Sequence, residues 1–315
     1  MGSPHNPLGI SGPSVHTDIR PSMDLTGCYS PGHSRIFEKP LRLFNTPLAV
    51  GGSGQVYMAS SEAGQPFLVK LYKVYGKDHM AWDRALLLKK GVQVSDADLN
   101  YCFNPWHRES RAYERIDERV RGSARSLFPE YYGTAKLLYS SCPEPWRRAN
   151  PDHGDVCMVI LELLDQPRPC QDGHDLRLSD YSLILAKNLH SDSMDPEYIH
   201  IFIHLCEMVE TLHHAEIIHA DLKEDNIIGF AIAGRPMLLD FSKSWTYSDN
   251  IPCLDPFKKK PWTFEERRIA ELDTIKFTVL SESKRSGEKQ FLRNKFPNAS
   301  DCQRCATLMT QITSA

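Results

Sequence analysis

The chain has 315 residues, of which 41% are hydrophobic, and its formal net charge is −3. This composition predicts a globular protein with one large core or two lobes, and it excludes a fibrous or wholly disordered chain. Because the net charge is small, neither nucleic acid nor a membrane is expected as a partner, and any anion must be bound by a local site.

The N-terminal segment 1–35 is predicted to be a flexible tail. Its first 20 residues are rich in Gly, Pro, Ser and His and lack the basic start and apolar segment of a signal peptide. No apolar run approaches the roughly 20 residues that a transmembrane helix needs. We therefore expect a soluble protein.

The nine cysteines are an odd number. Without a secretory signal they favour reduced thiols over a disulfide framework, which predicts a location in the cytoplasm or the nucleus. Cys302 and Cys305 form one CQRC pair, but no second pair lies at the spacing of a zinc site. A terminal helix or tail is the expectation there.

The first half of the chain is predicted to form a small, sheet-rich lobe. Its first three strands, separated by glycine-containing turns, should form an antiparallel meander. An irregular insertion is expected over 73–101 and a charged helix over 104–120. The five strand candidates lie at 41–50, 55–60, 66–72, 136–141 and 155–164.

A long buried helix is predicted over DPEYIHIFIHLCEMVETLHHAEI, because apolar residues recur at helical spacing from Ile201 to Leu212. Asp195 can cap this helix, and Pro196 suits its first position. Its histidines are expected to line ordinary helix faces, without a bound metal. They are His204, His213 and His214.

The stretch IIHADLKEDNIIGF, residues 217–230, contains a run of polar residues between two apolar pairs. Ile217 and Ile218 precede the run, and Ile227 and Ile228 follow it, which predicts a short loop held between two buried strands. The next segments, IIGFAIAG and RPMLLDF, alternate around an Ala-Gly turn and predict a hairpin between Asn226 and Asp240. Both ends of that hairpin carry polar side chains.

Four motifs, in this order along the chain, resemble those of eukaryotic protein kinases. AVGGSGQV (49–56) is similar to the Gly-rich nucleotide loop, and LVK (68–70) to the strand with the phosphate-binding lysine. HADLKEDN (219–226) resembles the catalytic loop H-R-D-L-K-x-x-N, and DFS (240–242) resembles the metal-binding D-F-G turn. The order of the motifs makes a chance similarity improbable.

The resemblance implies a two-lobed α+β fold with ATP in the cleft. A small antiparallel-sheet N-lobe is expected over 36–164, and a mostly helical, shortened C-lobe over 165–315. No A-P-E sequence occurs between Ser242 and Glu271, and few residues follow the helix-like stretch FEERRIAELDTIKFTVLSE. Asp273 in that stretch is the candidate for the family's buried aspartate.

The resemblance also implies the residues that contact ATP. Lys70 would pair with the α- and β-phosphates, held by a carboxylate from the next helix, for which Glu109 is preferred over Glu114. Backbone groups from Glu162 to Leu164 would contact the adenine edge. The glycine-rich loop would bind the phosphates and pack on the adenine through Gly51, Gly52, Ser53, Gly54 and Val56.

For the chemical step, the resemblance implies that Asp221 orients the acceptor hydroxyl or accepts its proton. Lys223 would neutralise the transferred phosphoryl group. Asn226 and Asp240 would bind Mg²⁺ through hard oxygen ligands. His219 is expected to support the loop by hydrogen bonds.

Three positions depart from the kinase pattern. Ala220 replaces the usual arginine of the catalytic loop, so control by a phosphorylated activation segment is not expected. Ser242 and Ala49 replace glycines, which restricts the backbone.

The acceptor stays open. Lys223 favours a Ser/Thr-type protein kinase, whereas insertions at 73–103 and 165–195 could recruit a small-molecule acceptor. These insertions resemble those of small kinase-like proteins of filamentous fungi. A pseudokinase scaffold is a third hypothesis for the function. A kinase-fold enzyme that uses ATP for carboxylate activation or nucleotidyl transfer is a fourth.

Overall fold

The computed structural model describes residues 15–17, 19–20, 37, 40–89, 91–151, 154–164, 178–192, 194–228, 237–247, 262–284, 291–296, 308–310 and 312. Their architecture is α+β. They divide into two compact units. The first unit contains the described residues of 1–25, 35–74 and 132–163, and the second contains those of 75–131 and 164–315.

A seven-stranded sheet runs through the first unit. Its strands are β1 (Val15–Thr17), β2 (Ile19–Arg20), β3 (Leu41–Val50), β4 (Gly54–Ser61), β5 (Pro66–Tyr72), β6 (Tyr131–Leu137) and β7 (Val156–Glu162). Their order in the sheet is β1-β3-β4-β5-β7-β6-β2. Strands β3, β4 and β5 pair antiparallel in chain order, as predicted, and Val56 of β4 lies opposite Lys70 of β5. Strand β5 also pairs antiparallel with β7.

The core of the first unit is apolar. Tyr57 and Ala59 on β4, together with Val69 and Leu71 on β5, place alternate residues of the two strands in it. Trp146, from the short helix after β6, is fully buried against the same core. Burial of side chains of this size is the main driving force for folding.

Eight α-helices have both ends among the described residues. They are α1 (Lys77–Leu88), α2 (Asp96–Phe103), α3 (Pro105–Arg119), α4 (Glu144–Ala149), α5 (Asp180–Ser191), α6 (Pro196–His214), α7 (Phe264–Ser283) and α8 (Phe291–Lys295). All except α4 belong to the second unit. In that unit α6 contacts α5, α7 and α8.

Helix α6 confirms the predicted long helix and its start. The Asp195 carboxylate accepts the N–H of Glu197 at 3.0 Å, and Pro196 is the first helical residue. Every side chain from Tyr198 to His213 is buried. A helix buried on all sides is the expected centre of a helical unit.

Two pairs of two-residue strands follow α6 in the second unit. The strands are β8 (Ile217–Ile218), β9 (Ile227–Ile228), β10 (Met237–Leu238) and β11 (Trp245–Thr246). Strand β8 pairs with β11, and β9 pairs with β10, both antiparallel. The predicted hairpin between Asn226 and Asp240 is therefore present in the described residues, although its Ala-Gly turn lies outside them.

The structure differs from the predicted elements at several places. The insertion predicted to be irregular contains α1 and α2, and a capping box of Ser95 and Asp98 starts α2. The strand predicted over 136–141 is displaced, because β6 ends at Leu137 and a 3₁₀ turn occupies Tyr139–Ser141. Two short strands, β1 and β2, occur where the sequence predicts a tail.

The division into units also differs from the predicted boundary at 164. Residues 75–131 belong to the second unit. The physical reason is that α3 packs against the 3₁₀ turn Phe241–Lys243 and against β11, both of which follow α6.

Among the described residues, no helix is both long enough and apolar enough to cross a membrane. The four cysteines that lie within them are free thiols. Burial is the largest cause of the raised pKa of two of these thiols, which is about 11 for Cys102 and about 12 for Cys142. The Cys302–Cys305 pair lies outside the described residues.

Candidate functional site

The polar loop 219–226 is held at both ends by strand pairs of the second unit. Ile218 lies opposite Trp245, and Ile227 lies opposite Leu238. The main chain of Leu239 continues the second pair, because its N–H donates to the Asn226 carbonyl at 2.8 Å. Asp240 therefore follows directly after Leu239, the residue that pairs with Asn226. This confirms the prediction of a loop pinned between buried strands.

A buried carboxylate supports the loop from α7. Glu271 Oε1 accepts the N–H of Ala220 at 2.7 Å, and Oε2 accepts the N–H of His219 at 3.3 Å. The ring Nε2 of His213 lies 2.8 Å from Oε2. Burial alone would raise the pKa of Glu271, but the contacts with His213 and the Ala220 N–H outweigh it and hold the pKa below its ordinary value. Glu271 is thus an ionised anchor for the loop backbone.

Asp273, the sequence candidate for the family's buried aspartate, is not buried. Its carboxylate is exposed and accepts the hydroxyl of Tyr181 at 2.7 Å. The reason is helical geometry, since Glu271, Ile275 and Val279 share the buried face of α7 and Asp273 lies off that face. The sequence signal for Glu271 was an acidic residue in register with this apolar face.

His219 supports the loop, as expected, through both ring nitrogens. Nε2 lies 2.9 Å from the Leu239 carbonyl, and Nδ1 accepts the N–H of Asp221 at 3.3 Å. Burial lowers the pKa of His219 below its ordinary value, against the opposing effect of Glu271. A neutral ring with its proton on Nε2 satisfies both bonds. The left-handed backbone of Ala220, with φ of 61°, turns the chain between His219 and Asp221.

Asp221 is the centre of the polar cluster. Lys243 Nζ donates to its Oδ1 at 2.9 Å, and Lys223 Nζ lies 3.3 Å from its Oδ2. Asn226 Nδ2 donates to Oδ2 at 3.2 Å and to the Asp221 carbonyl at 2.8 Å. Burial alone would raise the pKa of Asp221, but the hydrogen bonds and charges of Lys243 and Lys223 lower it below its ordinary value. Asp221 is therefore ionised at neutral pH.

Asn226 and Asp240 have the donor chemistry of a magnesium site. Because both hydrogen bonds of the Asn226 amide use Nδ2, its Oδ1 is the atom that can bind a cation. Asp240 has a left-handed backbone, with φ of 60°, and its Oδ1 accepts the N–H of Ser242 at 3.2 Å. No group of three or more His, Cys, Asp or Glu side chains suited to a metal occurs among the described residues. Two oxygen donors with phosphates and water suit Mg²⁺, which keeps much of its hydration.

A column of aromatic rings joins α3 to the Asp240 turn. The ring centroids of Tyr113 and Phe241 are 5.0 Å apart, as are those of Phe241 and His219, and Tyr113 stacks on Tyr131 at 5.6 Å. Burial, followed by the charges of Glu109 and Asp240, raises the pKa of Tyr113 well above its ordinary value. The column therefore places one side of α3 near Asp240.

The two carboxylates proposed as partners of Lys70 differ in burial. Glu109 is 1% exposed, whereas Glu114 is partly buried and accepts the hydroxyl of Tyr131 at 3.4 Å. Lys70 belongs to the first unit and Glu109 to the second. Their ion pair stays a prediction.

In the first unit, the glycine-rich segment forms the turn between β3 and β4. The Gly51 N–H donates to the Gly54 carbonyl at 2.9 Å, which leaves Gly52 and Ser53 at the tip. Val56 is half-buried on β4, and Lys70 on β5 is only 6% exposed, with Nζ 5.2 Å from the ring centroid of Tyr72.

The residues predicted to contact the adenine, Glu162 and Leu164, are partly buried. Glu162 is the last residue of β7, opposite Phe67 of β5, and Leu164 lies two positions further along the chain. The structure thus places Glu162 at the end of a central strand.

Lys243 and Glu271 are the site residues that the sequence analysis missed. The only sequence signal for Lys243 was its position directly after the DFS motif. The chain matches no family model and no curated protein. A function for the chain must therefore be inferred from the geometry of these side chains.

Proposed function

We propose that the protein has a protein-kinase-like fold and is a phosphotransferase, which uses ATP and Mg²⁺ to phosphorylate a hydroxyl group. One observation carries this proposal. Asp221 is an ionised, mostly buried carboxylate that is held by two lysines and an amide, on a loop whose backbone is fixed by Glu271. The two oxygen donors Asn226 and Asp240 follow at the ends of the adjoining hairpin.

This set of groups suits phosphoryl transfer, in which catalysis is mostly positioning and charge neutralisation. Asp221 holds the acceptor hydroxyl so that its oxygen faces the γ-phosphorus of ATP. The bond from the acceptor oxygen to phosphorus forms, and the bond to the β,γ-bridging oxygen breaks. ADP leaves, and the hydroxyl proton passes to Asp221. The low pKa of Asp221 favours late proton transfer, with orientation as its main contribution.

Lys223 is positioned to accompany the transferred group. Its ammonium is paired with Asp221 Oδ2, and its side chain is about half exposed. Lys223 can therefore contact a phosphoryl oxygen without breaking its ion pair with Asp221. Asn226 and Asp240 would hold Mg²⁺, which neutralises charge on the phosphates when it is bound.

The first unit supplies the proposed nucleotide contacts. Gly51–Gly54 would present backbone N–H groups to the phosphates, and Val56 would pack on the adenine. Lys70 would bind the α- and β-phosphates, with Glu109 as its partner. Glu162 and Leu164 would bind the adenine edge. The acceptor is a protein or a small molecule, and the proposed location is the cytoplasm.

A thermal shift assay with ATP and Mg²⁺ tests this proposal. A ligand at 100 times its Kd that binds only the folded state stabilises it by about 2.7 kcal/mol, so the melting temperature of the wild type should rise. Asp240→Asn should show a much smaller rise, because the substitution removes a ligand charge but keeps an oxygen for the Ser242 N–H. Asp273→Asn, an exposed carboxylate on α7, is the matched control and should behave as the wild type.

Product analysis separates phosphoryl transfer from the remaining hypotheses. ADP together with a phosphorylated acceptor supports the proposal. Pyrophosphate would contradict it, and would indicate nucleotidyl transfer if AMP is attached to the acceptor or carboxylate activation if AMP is released. If no nucleotide shifts the melting temperature, the phosphotransferase proposal is wrong and a scaffold function takes its place.

A further inference from the structure

Lys243 occupies the oxygen of Asp221 that Lys223 and Asn226 leave open. Its Nζ is 2.9 Å from Oδ1, whereas Lys223 and Asn226 both contact Oδ2. The kinase resemblance gives roles to Lys223 and Asn226 but none to Lys243. The role of this second lysine must therefore come from its surroundings.

The backbone of Lys243 is firmly placed. Its carbonyl accepts a hydrogen bond from Arg108 Nη1 at 3.4 Å, and the hydroxyl of the next residue, Ser244, donates to the Phe241 carbonyl at 2.7 Å. Trp245 then pairs with Ile218, immediately before the polar loop. Lys243 is thus fixed beside Asp221 by contacts of α3 and of β8.

The ammonium end of Lys243 is less restricted than its backbone. Its side chain is 60% exposed, whereas that of Asp221 is 15% exposed. Because the Lys243 side chain is exposed, and Lys223 and Asn226 stay on Oδ2, the ammonium can move from Asp221 to a ligand without leaving the carboxylate unpaired. Two lysines face one carboxylate in this cluster, so one positive charge is left for a ligand.

The acceptor hydroxyl must come close to this ammonium. Each carboxylate oxygen accepts about two hydrogen bonds, and Oδ2 already has two partners, so Oδ1 is the oxygen that can accept the hydroxyl. The hydroxyl then shares Oδ1 with Lys243. A group that the acceptor carries next to its hydroxyl can therefore reach the Lys243 ammonium.

We infer that Lys243 binds an anionic group, a phosphate or a carboxylate, that the acceptor carries beside the hydroxyl to be phosphorylated. This inference rests on the proposed function, because it assigns Asp221 to the acceptor. A neutral alcohol would offer the ammonium no negative charge beyond that of Asp221, whereas an anionic acceptor adds a charge-assisted hydrogen bond.

A phosphate titration tests the inference. The protein is first saturated with Mg²⁺ and a non-hydrolysable ATP analogue, which fills the γ-phosphate position, and inorganic phosphate is then titrated calorimetrically. Wild type should bind phosphate, Lys243→Met should bind it at least about tenfold more weakly, and Lys243→Arg should retain binding. Lys284→Met, an exposed lysine at the end of α7, is the matched control and should leave the affinity unchanged.

Two failures are distinguishable. If the ATP analogue itself does not bind, the proposed function is wrong, and the role of Lys243 towards an acceptor is lost with it. If the analogue binds but phosphate does not, or binds equally to Lys243→Met, only the inference is overturned.

Phosphoryl transfer to matched acceptor pairs then identifies the source of the anion. Glycerol and glycerol 3-phosphate form one pair, and serine peptides with a neighbouring Asn or Asp form the other. A preference for the anionic member that is lost in Lys243→Met assigns a small molecule in the first pair or a protein in the second. Faster transfer to the neutral members by Lys243→Met would show that Lys243 obstructs Asp221, and would overturn the inference.

Discussion

The glycine-rich turn 51–54 of the first unit and the polar loop 219–226 of the second unit differ in what holds their residues in place. In the loop, side chains do this, because Glu271, His219 and Asn226 bind the loop backbone and Asn226 also binds the Asp221 carboxylate. In the turn, backbone groups do it, since the Gly51 N–H donates to the Gly54 carbonyl and the Lys73 N–H to the Ser53 carbonyl.

This difference separates two kinds of motif residue. His219 and Asn226 satisfy polar groups of the fold itself, so each has a structural reason to be present. A Cβ at Gly52 would meet nothing within 4 Å, so the fold gives no reason for a glycine there. A ligand that approaches the backbone closely would give one. Substitutions in the loop should therefore lower stability, whereas a substitution at Gly52 should weaken ligand binding without lowering stability.

The largest effect is expected at Gly54, where the turn does depend on a glycine. A Cβ at this position would overlap the carbonyl oxygen of Leu71 and would lie 3.3 Å from Cα of Tyr72. Since both neighbours are backbone, β4 and β5 must separate, and Gly54→Ala should lower the free energy of unfolding by ~3 kcal/mol or more. Urea denaturation measures this loss. An unchanged midpoint would mean that the two strands are further apart than described.

A smaller loss is expected on removing the charge of the loop's anchor. In Glu271→Gln the amide nitrogen must face a donor, either the N–H of His219 or that of Ala220, so one buried hydrogen bond is lost. The cost should be about 2 kcal/mol, the usual range for a buried group left without a partner. The melting temperature should fall accordingly, and phosphoryl transfer should fall with it as the position of Asp221 relaxes.

Asp273→Asn is the control for this substitution, because it removes a carboxylate from the same helix at an exposed position. It should change stability by no more than ~0.5 kcal/mol. Equal losses in the two variants would indicate a general effect of charge on α7 and would remove the assignment of Glu271 as the anchor.

Sequence patterns predicted the elements that have strong periodicity. The strands β3, β4 and β5, the helix α6 and the hairpin of β9 and β10 were all found in this way, because alternating or helical apolar spacing determined them. The helices α1 and α2 were missed. Helix α1 buries only Leu87 and α2 only Leu99 and Cys102, so neither presents an apolar stripe that a sequence pattern can reveal.

The candidate site was predicted in its loop but not in its supports. Asp221, Lys223 and Asn226 are close in sequence, so their association needed only a local turn. Glu271 and Lys243 reach the loop through tertiary packing and through the left-handed backbone of Asp240, which a D-F-S sequence without glycine does not indicate. Contacts between elements far apart in sequence are the part that one sequence leaves undetermined.

The smallest effect on folding is expected at Gly52, where the contrast between the two regions is sharpest. Because a Cβ there meets no neighbour, Gly52→Ala should change stability by less than about 0.5 kcal/mol. If phosphates approach this backbone, the same methyl group should weaken ATP binding about tenfold, which calorimetry with Mg²⁺ can measure. Gly154→Ala, which also faces open space in the first unit, should change neither quantity. If Gly52→Ala binds ATP as tightly as the wild type does, the turn connects β3 and β4 without contacting the phosphates. The proposed nucleotide site would then depend on Lys70 and the polar loop.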